Sequence, residues 1–282
     1  MDADVIVIGG GPGGSTAATM LARKGWQVLL FERETFPRQH IGESLLPASM
    51  PLLEDLGVMD AVASAGFLKK WGATMVWGSG SEPWSWYFSE TNARYPHAYQ
   101  VWRPTFDQLL LDNSRSHGVE VREGHRVTEV CFEAGQATAV RYQNPGNGLR
   151  EASARFVVDA SGQAGLLGRT RRLRRNDPFF HNLAVYAYYQ GASRLPSPAE
   201  NNILVESYPQ GWAWAIPLHT GWMSVGAVVD SASGQAGIAE HGPGGFLDHQ
   251  VEQAPTLAAM LQGATLISGR RSSATGPTSP RK

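Results

Sequence analysis

The first 32 residues constrain the fold more than any other part of the chain. Residues 5–8 are an apolar, β-branched run typical of a buried parallel strand, and residues 9–14 are five glycines and one proline. Residues 15–24 are rich in small side chains and predict a helix that Gly25 ends. Residues 28–31 predict a second buried strand, which is followed by Glu32. This order of strand, glycine turn, helix, strand and acid predicts one βαβ unit of an α/β fold.

The glycine turn predicts a site for the phosphates of a dinucleotide. In Gly9-x-Gly11-x-x-Gly14 the first glycine permits the sharp turn, the second lets backbone approach a pyrophosphate, and the third lets helix and strand pack closely. The start of the helix presents free N–H groups and a positive dipole end to the anion. Glu32 is placed to accept hydrogen bonds from ribose hydroxyls and would repel a ribose phosphate, which favours FAD or NAD over NADP. We expect the cofactor to be bound here by Gly9, Gly11, Gly13, Gly14, Ser15, Glu32 and Arg33.

The remainder of the pattern favours FAD over NAD. The chain does not continue as a regular series of βαβ units, and residues 203–229 alternate strictly, as in an antiparallel sheet with one buried face. Arg103 is placed to reach the cofactor, although an exposed arginine before a helix is the alternative. Thr105 predicts the N-cap of that helix, and Gly118 predicts its end. Residues 268–282 lose all periodicity and predict a disordered tail.

Composition and charge exclude several function classes. The 24 Lys and Arg residues balance 25 Asp and Glu residues, so the basic surplus that binds nucleic acid is absent. The single cysteine, Cys131, cannot form an intramolecular disulfide, and the eight histidines show no ligand spacing, so we predict no metal site. No apolar run reaches the ~20 residues of a transmembrane segment, and the acidic start is unlike a secretory signal. We therefore expect a soluble, cytoplasmic protein.

Six segments together resemble the flavin-dependent halogenases. The likeness is greatest to the phenol and pyrrole type, including the halogenases that act on tyrosyl units in glycopeptide antibiotic assembly. It runs from about residue 3 to about residue 270, and is carried by residues 9–14 (GGGPGG), 41–47 (IGESLLP), 66–73 (GFLKKWGA), 97–103 (HAYQVWR), 157–162 (VVDASG) and 211–217 (GWAWAIP).

The resemblance implies an FAD-binding three-layer (ββα) Rossmann-like domain of the aromatic hydroxylase type, with an antiparallel substrate-side β-sheet. We expect the FAD-binding domain to be discontinuous, from residues 1–66 and 100–180. Residues 67–99 and 181–267 are then expected to form the substrate-side sheet.

The resemblance also implies a reaction. A separate flavin reductase supplies reduced FAD, and with oxygen and chloride or bromide this yields hypohalous acid. A lysine then holds the acid for attack by an electron-rich aromatic, either a small molecule or a substrate tethered to a carrier protein. The lysine of the motif falls on Lys70, and an amine suits the role because burial lowers its pKa. Lys69 would face the opposite side of a strand. The alternative is that both lysines lie on the surface.

Further site residues are implied by the resemblance. The segment Trp212, Trp214, Ile216 and Pro217 is expected to wall the flavin off from the substrate, while an ordinary core strand is the alternative. Three residues are expected to contact FAD: Ser44, which with Glu43 lies in a loop near the flavin, Val127 through backbone at the adenine, and Asp159. An acid that caps a turn is the alternative for Asp159.

The chain departs from the family at its end. Members continue beyond this length and carry a Gly-Asp element that grips the flavin, whereas this sequence contains no Gly-Asp dipeptide. We therefore expect a truncated halogenase that lacks the isoalloxazine and halide pocket and has weak or no FAD binding and activity. The alternatives are an FAD-dependent aromatic monooxygenase, a geranylgeranyl-reductase-like flavoprotein, and a non-catalytic remnant.

Overall fold

The computed structural model describes residues 1–77, 82–144, 146, 148–177, 181–267, 271–275 and 278–280. At residues 175–176 and beyond residue 270, it describes the backbone only.

Helices and strands alternate in the first third of the chain, and strands dominate afterwards. The helices are α1 (Pro12–Arg23), α2 (Met50–Asp55), α3 (Met59–Ser64), α4 (Arg103–Ser116), α5 (Leu166–Thr170), α6 (Ser231–Glu252) and α7 (Pro255–Met260). The strands are β1 (Ala3–Ile8), β2 (Val28–Phe31), β3 (Leu68–Lys70), β4 (Gly72–Val76), β5 (Trp84–Tyr87), β6 (Ala98–Gln100), β7 (Glu120–Arg122), β8 (Arg126–Glu133), β9 (Gln136–Asn144), β10 (Gly148–Asp159), β11 (Arg174–Asn176), β12 (Asn182–Gln190), β13 (Ile203–Tyr208), β14 (Gly211–Pro217), β15 (Trp222–Asp230), β16 (Thr265–Leu266), β17 (Arg271–Thr275) and β18 (Thr278–Pro280).

The predicted βαβ unit forms the centre of a six-stranded sheet in the order β7-β2-β1-β10-β9-β8. Strand β1 is parallel to both β2 and β10. Its residues are apolar on both sides because each face of the sheet is covered: Ile6 packs in one hydrophobic cluster and Val7 in another. The second cluster includes Ala18 of α1 and Leu111 of α4, so two helices cover that face. The carboxyl ends of β1, β2 and β10 therefore meet at one edge, where parallel sheets bind their ligands.

The second large sheet has eight strands, in the order β16-β12-β15-β14-β13-β4-β5, with β17 also paired to β12. One face packs on α6 and α7 through residues such as Val225, Leu247 and Leu257. The other face carries Tyr188, Trp214 and further large side chains, and it packs against Ile41 and Trp102 of the first part of the chain. The predicted antiparallel hairpin is confirmed, since β14 pairs with β15 across the turn at residues 218–221.

The strands of the two large sheets come from interleaved stretches of the chain. Those of the six-stranded sheet lie within residues 1–66 and 100–180, and those of the other sheet lie within 67–99 and 181–275. A separate two-stranded sheet, β3 with β6, stands at the junction of these stretches.

Two local predictions differ from the structure. The N-cap predicted at Thr105 is instead Trp102, and the helix starts at Arg103, because Pro104 fits the first turn, where no N–H donor is needed. The predicted disordered tail includes a strand, because residues 271–275 pair antiparallel with residues 182–186 of β12. Backbone groups form this pairing, so it requires no hydrophobic periodicity. Residues 268–270, 276–277 and 281–282 of the predicted tail lie outside the described residues.

Candidate functional site

The glycine turn is closed on the sheet side and open at the start of α1. A Cβ on Gly14 would lie 1.8 Å from the carbonyl oxygen of Gly9, and a Cβ on Gly9, which has φ +104°, would lie 2.5 Å from the carbonyl oxygen of Ala160. A Cβ on Gly13 would meet no atom of the described residues within 4 Å. Ser15 is buried and its hydroxyl donates to the Gly10 carbonyl at 2.9 Å, which fixes the turn. The roles predicted for the first and third glycines therefore have a steric basis in the structure.

Glu32 lies at the end of β2, beside the glycine turn. One carboxylate oxygen accepts from the Gly10 N–H at 2.7 Å, and the other accepts from the Glu34 N–H at 2.9 Å. These bonds fix the carboxylate at the sheet edge. Each carboxylate oxygen can accept more than one hydrogen bond, so both retain capacity for a ribose hydroxyl.

The structure adds a cation at the turn that the sequence did not reveal. An Arg38 guanidinium nitrogen lies 3.3 Å from where a Cβ on Gly11 would be, and Arg38 is 3.1 Å from the carboxylate of Asp107. Arg38 is therefore a further candidate for contact with a pyrophosphate. No motif marked Arg38, because its place depends on packing between the loop after β2 and helix α4.

Arg103 is neither exposed nor directed at open space. Its guanidinium donates to both oxygens of Asp107, at 2.7 and 2.8 Å, and to the carbonyl of Ile41. The alternative of an exposed arginine is excluded, since Arg103 is buried. Arg103 holds the loop of residues 40–43 in place, and a contact with the cofactor stays a prediction.

Lys70 is almost completely buried, with 2% of its surface exposed. Its amine donates to Ser44 Oγ at 2.8 Å and to the Leu45 carbonyl at 3.0 Å, and it lies 5.2 Å from the centre of the Phe88 ring. Burial lowers the pKa of the Lys70 amine to about 8. Lys69 lies on the opposite face of β3 and is exposed, so the surface alternative fits Lys69 but not Lys70.

Ser44 and Glu43 point to opposite sides of one extended segment. The Ser44 hydroxyl accepts from the Lys70 amine, and its predicted contact with the cofactor stays a prediction. Glu43 is fully buried, and its carboxylate accepts from the Tyr188 hydroxyl at 2.6 Å and from the Gly42 N–H at 3.0 Å. Burial raises the pKa of the Glu43 carboxyl. The segment thus links the lysine to the large sheet.

The two tryptophans predicted to form a wall lie together on the sheet face turned toward Ile41. The ring centres of Trp212 and Trp214 are 5.9 Å apart, and Ile216 belongs to the same cluster. Pro217 differs: by strand alternation it shares the face of Ala215, which packs on the helices, so it is not part of this surface.

The other predicted cofactor residues have local structural partners. The Asp159 carboxylate accepts from the N–H groups of Ser161 at 3.0 Å and Leu167 at 2.7 Å, so it caps the turn that leads into α5, and its contact with FAD stays a prediction. Arg33 is exposed, pairs with Glu34 at 3.3 Å and lines an open surface cleft with Arg126.

Val127 pairs with Tyr142 in the β8–β9 ladder and packs on the core of the six-stranded sheet. Its backbone contact with adenine stays a prediction.

Within the described ranges, no group of three or more His, Cys, Asp or Glu side chains is placed to hold a metal ion. Among the same residues, no helix is both long enough and apolar enough to cross a membrane.

The arrangement at the end of β1 fits FAD. The open face of Gly13, the start of α1 and the Arg38 guanidinium suit a pyrophosphate, and Glu32 suits a ribose. The family model that matches residues 2–209 is described as an FAD binding domain. The chain belongs to this FAD-binding family. The predicted cofactor, FAD, is therefore confirmed.

Several known proteins that are similar to this chain in sequence or structure are named as halogenases. The chain is 40% identical to a tryptophan 2-halogenase of Chondromyces crocatus, over 80% of this chain and 43% of that protein. It is 34% identical to the chlorinase of 1H-pyrrole-2-carbonyl–peptidyl-carrier protein from Pseudomonas fluorescens, over 80% of this chain and 56% of that protein. The structure of the myxobacterial chondrochloren halogenase CndH matches with a TM-score of 0.92 and 42% identity, covering 99% of this chain and 65% of the other. The resemblance to flavin-dependent halogenases and the aromatic hydroxylase-type fold are thus confirmed.

The chain spans about half the length of the curated relatives it matches.

Proposed function

We propose that this protein is an FAD-dependent halogenase that uses reduced FAD, oxygen and chloride or bromide to halogenate an electron-rich aromatic ring. The observation that carries the proposal is the buried Lys70 amine in a member of the FAD-binding family. A buried lysine without a carboxylate partner among the described residues costs free energy, which a purely structural role would not explain.

The lowered pKa of Lys70 makes its neutral amine available as a nucleophile. With a pKa of about 8, about one amine in ten is neutral at pH 7, against about one in three thousand for an ordinary lysine. When bound, reduced FAD would react with oxygen, and the oxygen would supply the oxidising equivalent that converts halide to hypohalous acid, with water as the second product. The neutral amine attacks the halogen: the N–halogen bond forms, the O–halogen bond breaks, and hydroxide leaves with the amine proton as water. The aromatic ring then takes the halogen and loses a proton, which regenerates the amine.

A series of contacts connects the glycine turn to Lys70. Arg38 lies at Gly11 and contacts Asp107, and Asp107 binds Arg103. Arg103 in turn donates to the Ile41 carbonyl in the loop before Ser44. The Ser44 hydroxyl accepts a hydrogen bond from the Lys70 amine. We propose that this series keeps the cofactor and the lysine in fixed relation.

We propose that Trp212 and Trp214 exclude water and substrate from the flavin. Their adjacent rings cover the sheet face next to Ile41 with bulky apolar surface. The Trp214 indole N–H donates to Ser224 Oγ at 3.4 Å, and a Cβ on Gly226 would lie 2.3 Å from its ring, so its position is defined from both sides.

The substrate we propose is a phenol or pyrrole, free or bound to a carrier protein. The pyrrole chlorinase among the relatives is named for a carrier-bound substrate, which supports the second form. We further propose a separate flavin reductase as partner and a cytoplasmic location, which the single cysteine supports.

The test is turnover of the purified protein with FAD, a flavin reductase, NADH and either halide, using phenols, pyrroles and carrier-tethered pyrrole as substrates. Mass spectrometry should detect halogenated aromatic product, and flavin absorbance should remain with the protein after gel filtration. A hydroxylated product in the presence of halide would instead indicate a monooxygenase. Bound flavin with no product would indicate a chain without catalytic activity.

A further inference from the structure

We infer that Gln100 is an oxidant-binding residue, whose carboxamide oxygen accepts the O–H of hypohalous acid beside the Lys70 amine. This inference rests on the proposed function and adds a residue to the same site.

The strand register places the Gln100 side chain next to the path of the lysine. Leu68 pairs with Gln100 and Lys70 pairs with Ala98, so all four side chains lie on one face of the β3–β6 ladder. Gln100 also forms a bridge with Ser44 on its other edge. Because the Lys70 amine reaches Ser44 Oγ at 2.8 Å, the lysine side chain crosses β6 over the small Ala98 and beside Gln100.

The carboxamide of Gln100 is fixed, buried and only half satisfied. Its Nε2 donates to the carbonyl of Asn201 at 3.1 Å, which defines which end of the amide is oxygen, since a carbonyl only accepts. The side chain is fully buried, and within the part of the chain that the structure describes its Oε1 has no hydrogen-bond partner. An unpaired buried acceptor costs free energy, so a site that retains one is suited to a ligand that donates a hydrogen bond.

The lysine offers the complementary group. The neutral Lys70 amine has two N–H donors, which Ser44 Oγ and the Leu45 carbonyl accept, so its lone pair is left without a partner among the described residues. Hypohalous acid has one O–H donor and one electrophilic halogen. With its O–H on Gln100 Oε1, the acid is retained beside the amine, where its halogen can be attacked.

The step balances without any other reagent. The amine lone pair forms the N–halogen bond as the O–halogen bond breaks, and the hydroxide that leaves takes one amine proton to become water. Gln100 Oε1 accepts a hydrogen bond from the acid before the step and from the water after it, so it takes no proton itself.

The test exposes the chain to a small excess of hypochlorous acid without flavin, and follows chlorine-for-hydrogen substitution on Lys70 by peptide mass spectrometry. Gln100→Leu keeps a similar volume and removes the acceptor, and leucine, unlike methionine, does not consume hypochlorous acid. Because one neutral hydrogen bond is worth a factor of about three to ten, this variant should form the Lys70 haloamine about three to ten times more slowly. Lys69 on the exposed face provides an internal control whose rate should not change, and Gln262→Leu is the matched surface variant.

An unchanged Lys70 rate in Gln100→Leu would overturn the inference, and so would a wild-type chain in which Lys70 never gains halogen. The variant also loses the hydrogen bond from Gln100 Nε2 to the Asn201 carbonyl, so we expect its unfolding midpoint to fall. A purely structural role for Gln100 would lower the midpoint and leave the ratio of the Lys70 and Lys69 haloamine rates unchanged, whereas the inference predicts a lower ratio. Since the experiment uses no FAD, failure of flavin binding or turnover would reject the proposed function and leave this result intact.

Discussion

Replacing Lys70 with methionine should remove a pH dependence of the free energy of unfolding that the buried amine creates. The native state gives up the amine proton near pH 8, whereas the unfolded chain keeps it to about pH 10.5. Between these values the unfolded state binds more protons, so the free energy of unfolding rises with pH. The charged, buried amine therefore destabilises the native state at neutral pH, and this destabilisation is lost as pH rises. The full difference corresponds to about 3 kcal/mol, of which about 2 kcal/mol is regained between pH 7 and 9.5.

The assay is urea unfolding of wild type, Lys70→Met and Lys69→Met at several pH values in that range. Relative to Lys70→Met, the wild type should gain about 2 kcal/mol from pH 7 to 9.5. Lys69→Met should follow the wild type, since Lys69 is exposed. Parallel pH profiles for wild type and Lys70→Met would refute the argument that burial has lowered the amine pKa.

Two further pairs of substitutions test the turn and the loop beside the lysine. Gly14→Ala should destabilise the fold by more than about 3 kcal/mol in urea unfolding, because its Cβ would overlap the Gly9 carbonyl. Gly13→Ala should leave the free energy of unfolding within about 1 kcal/mol of wild type and weaken FAD binding. Equal unfolding midpoints for the two variants would contradict this prediction. Tyr188→Phe should lower the free energy of unfolding by about 1–3 kcal/mol, because the buried Glu43 carboxylate loses a hydrogen-bond donor. The effect of Tyr188→Phe should be smaller in a background that carries Glu43→Gln. An equally large effect in that background would argue against the carboxylate as its cause.

The sequence predicted the parts of the site whose causes are local. Gly9, Gly14 and Glu32 follow directly from the order of strand, turn, helix and strand, and the structure places them together at one sheet edge. The separation of Lys69 from Lys70 also follows locally, since alternation along a strand sends neighbouring side chains to opposite faces.

The sequence did not predict contacts between distant segments. The Glu43–Tyr188 hydrogen bond joins residues 145 positions apart, and no pattern in either segment predicts it. The contacts of Arg103 with Asp107 and of Ser44 with Lys70 depend in the same way on how the loop of residues 40–45 packs, and their contacts with the cofactor stay predictions. The strand at residues 271–275 forms because the edge of β12 offers backbone groups for pairing, a property of the sheet rather than of the tail.

The most direct test of the central claim measures halogenated product and bound FAD in wild type and Lys70→Met under identical conditions, with a chemical trap for free hypohalous acid. The account predicts that Lys70→Met binds FAD as wild type does, forms no halogenated aromatic and delivers its hypohalous acid to the trap. Product formation by Lys70→Met at close to the wild-type rate would contradict it.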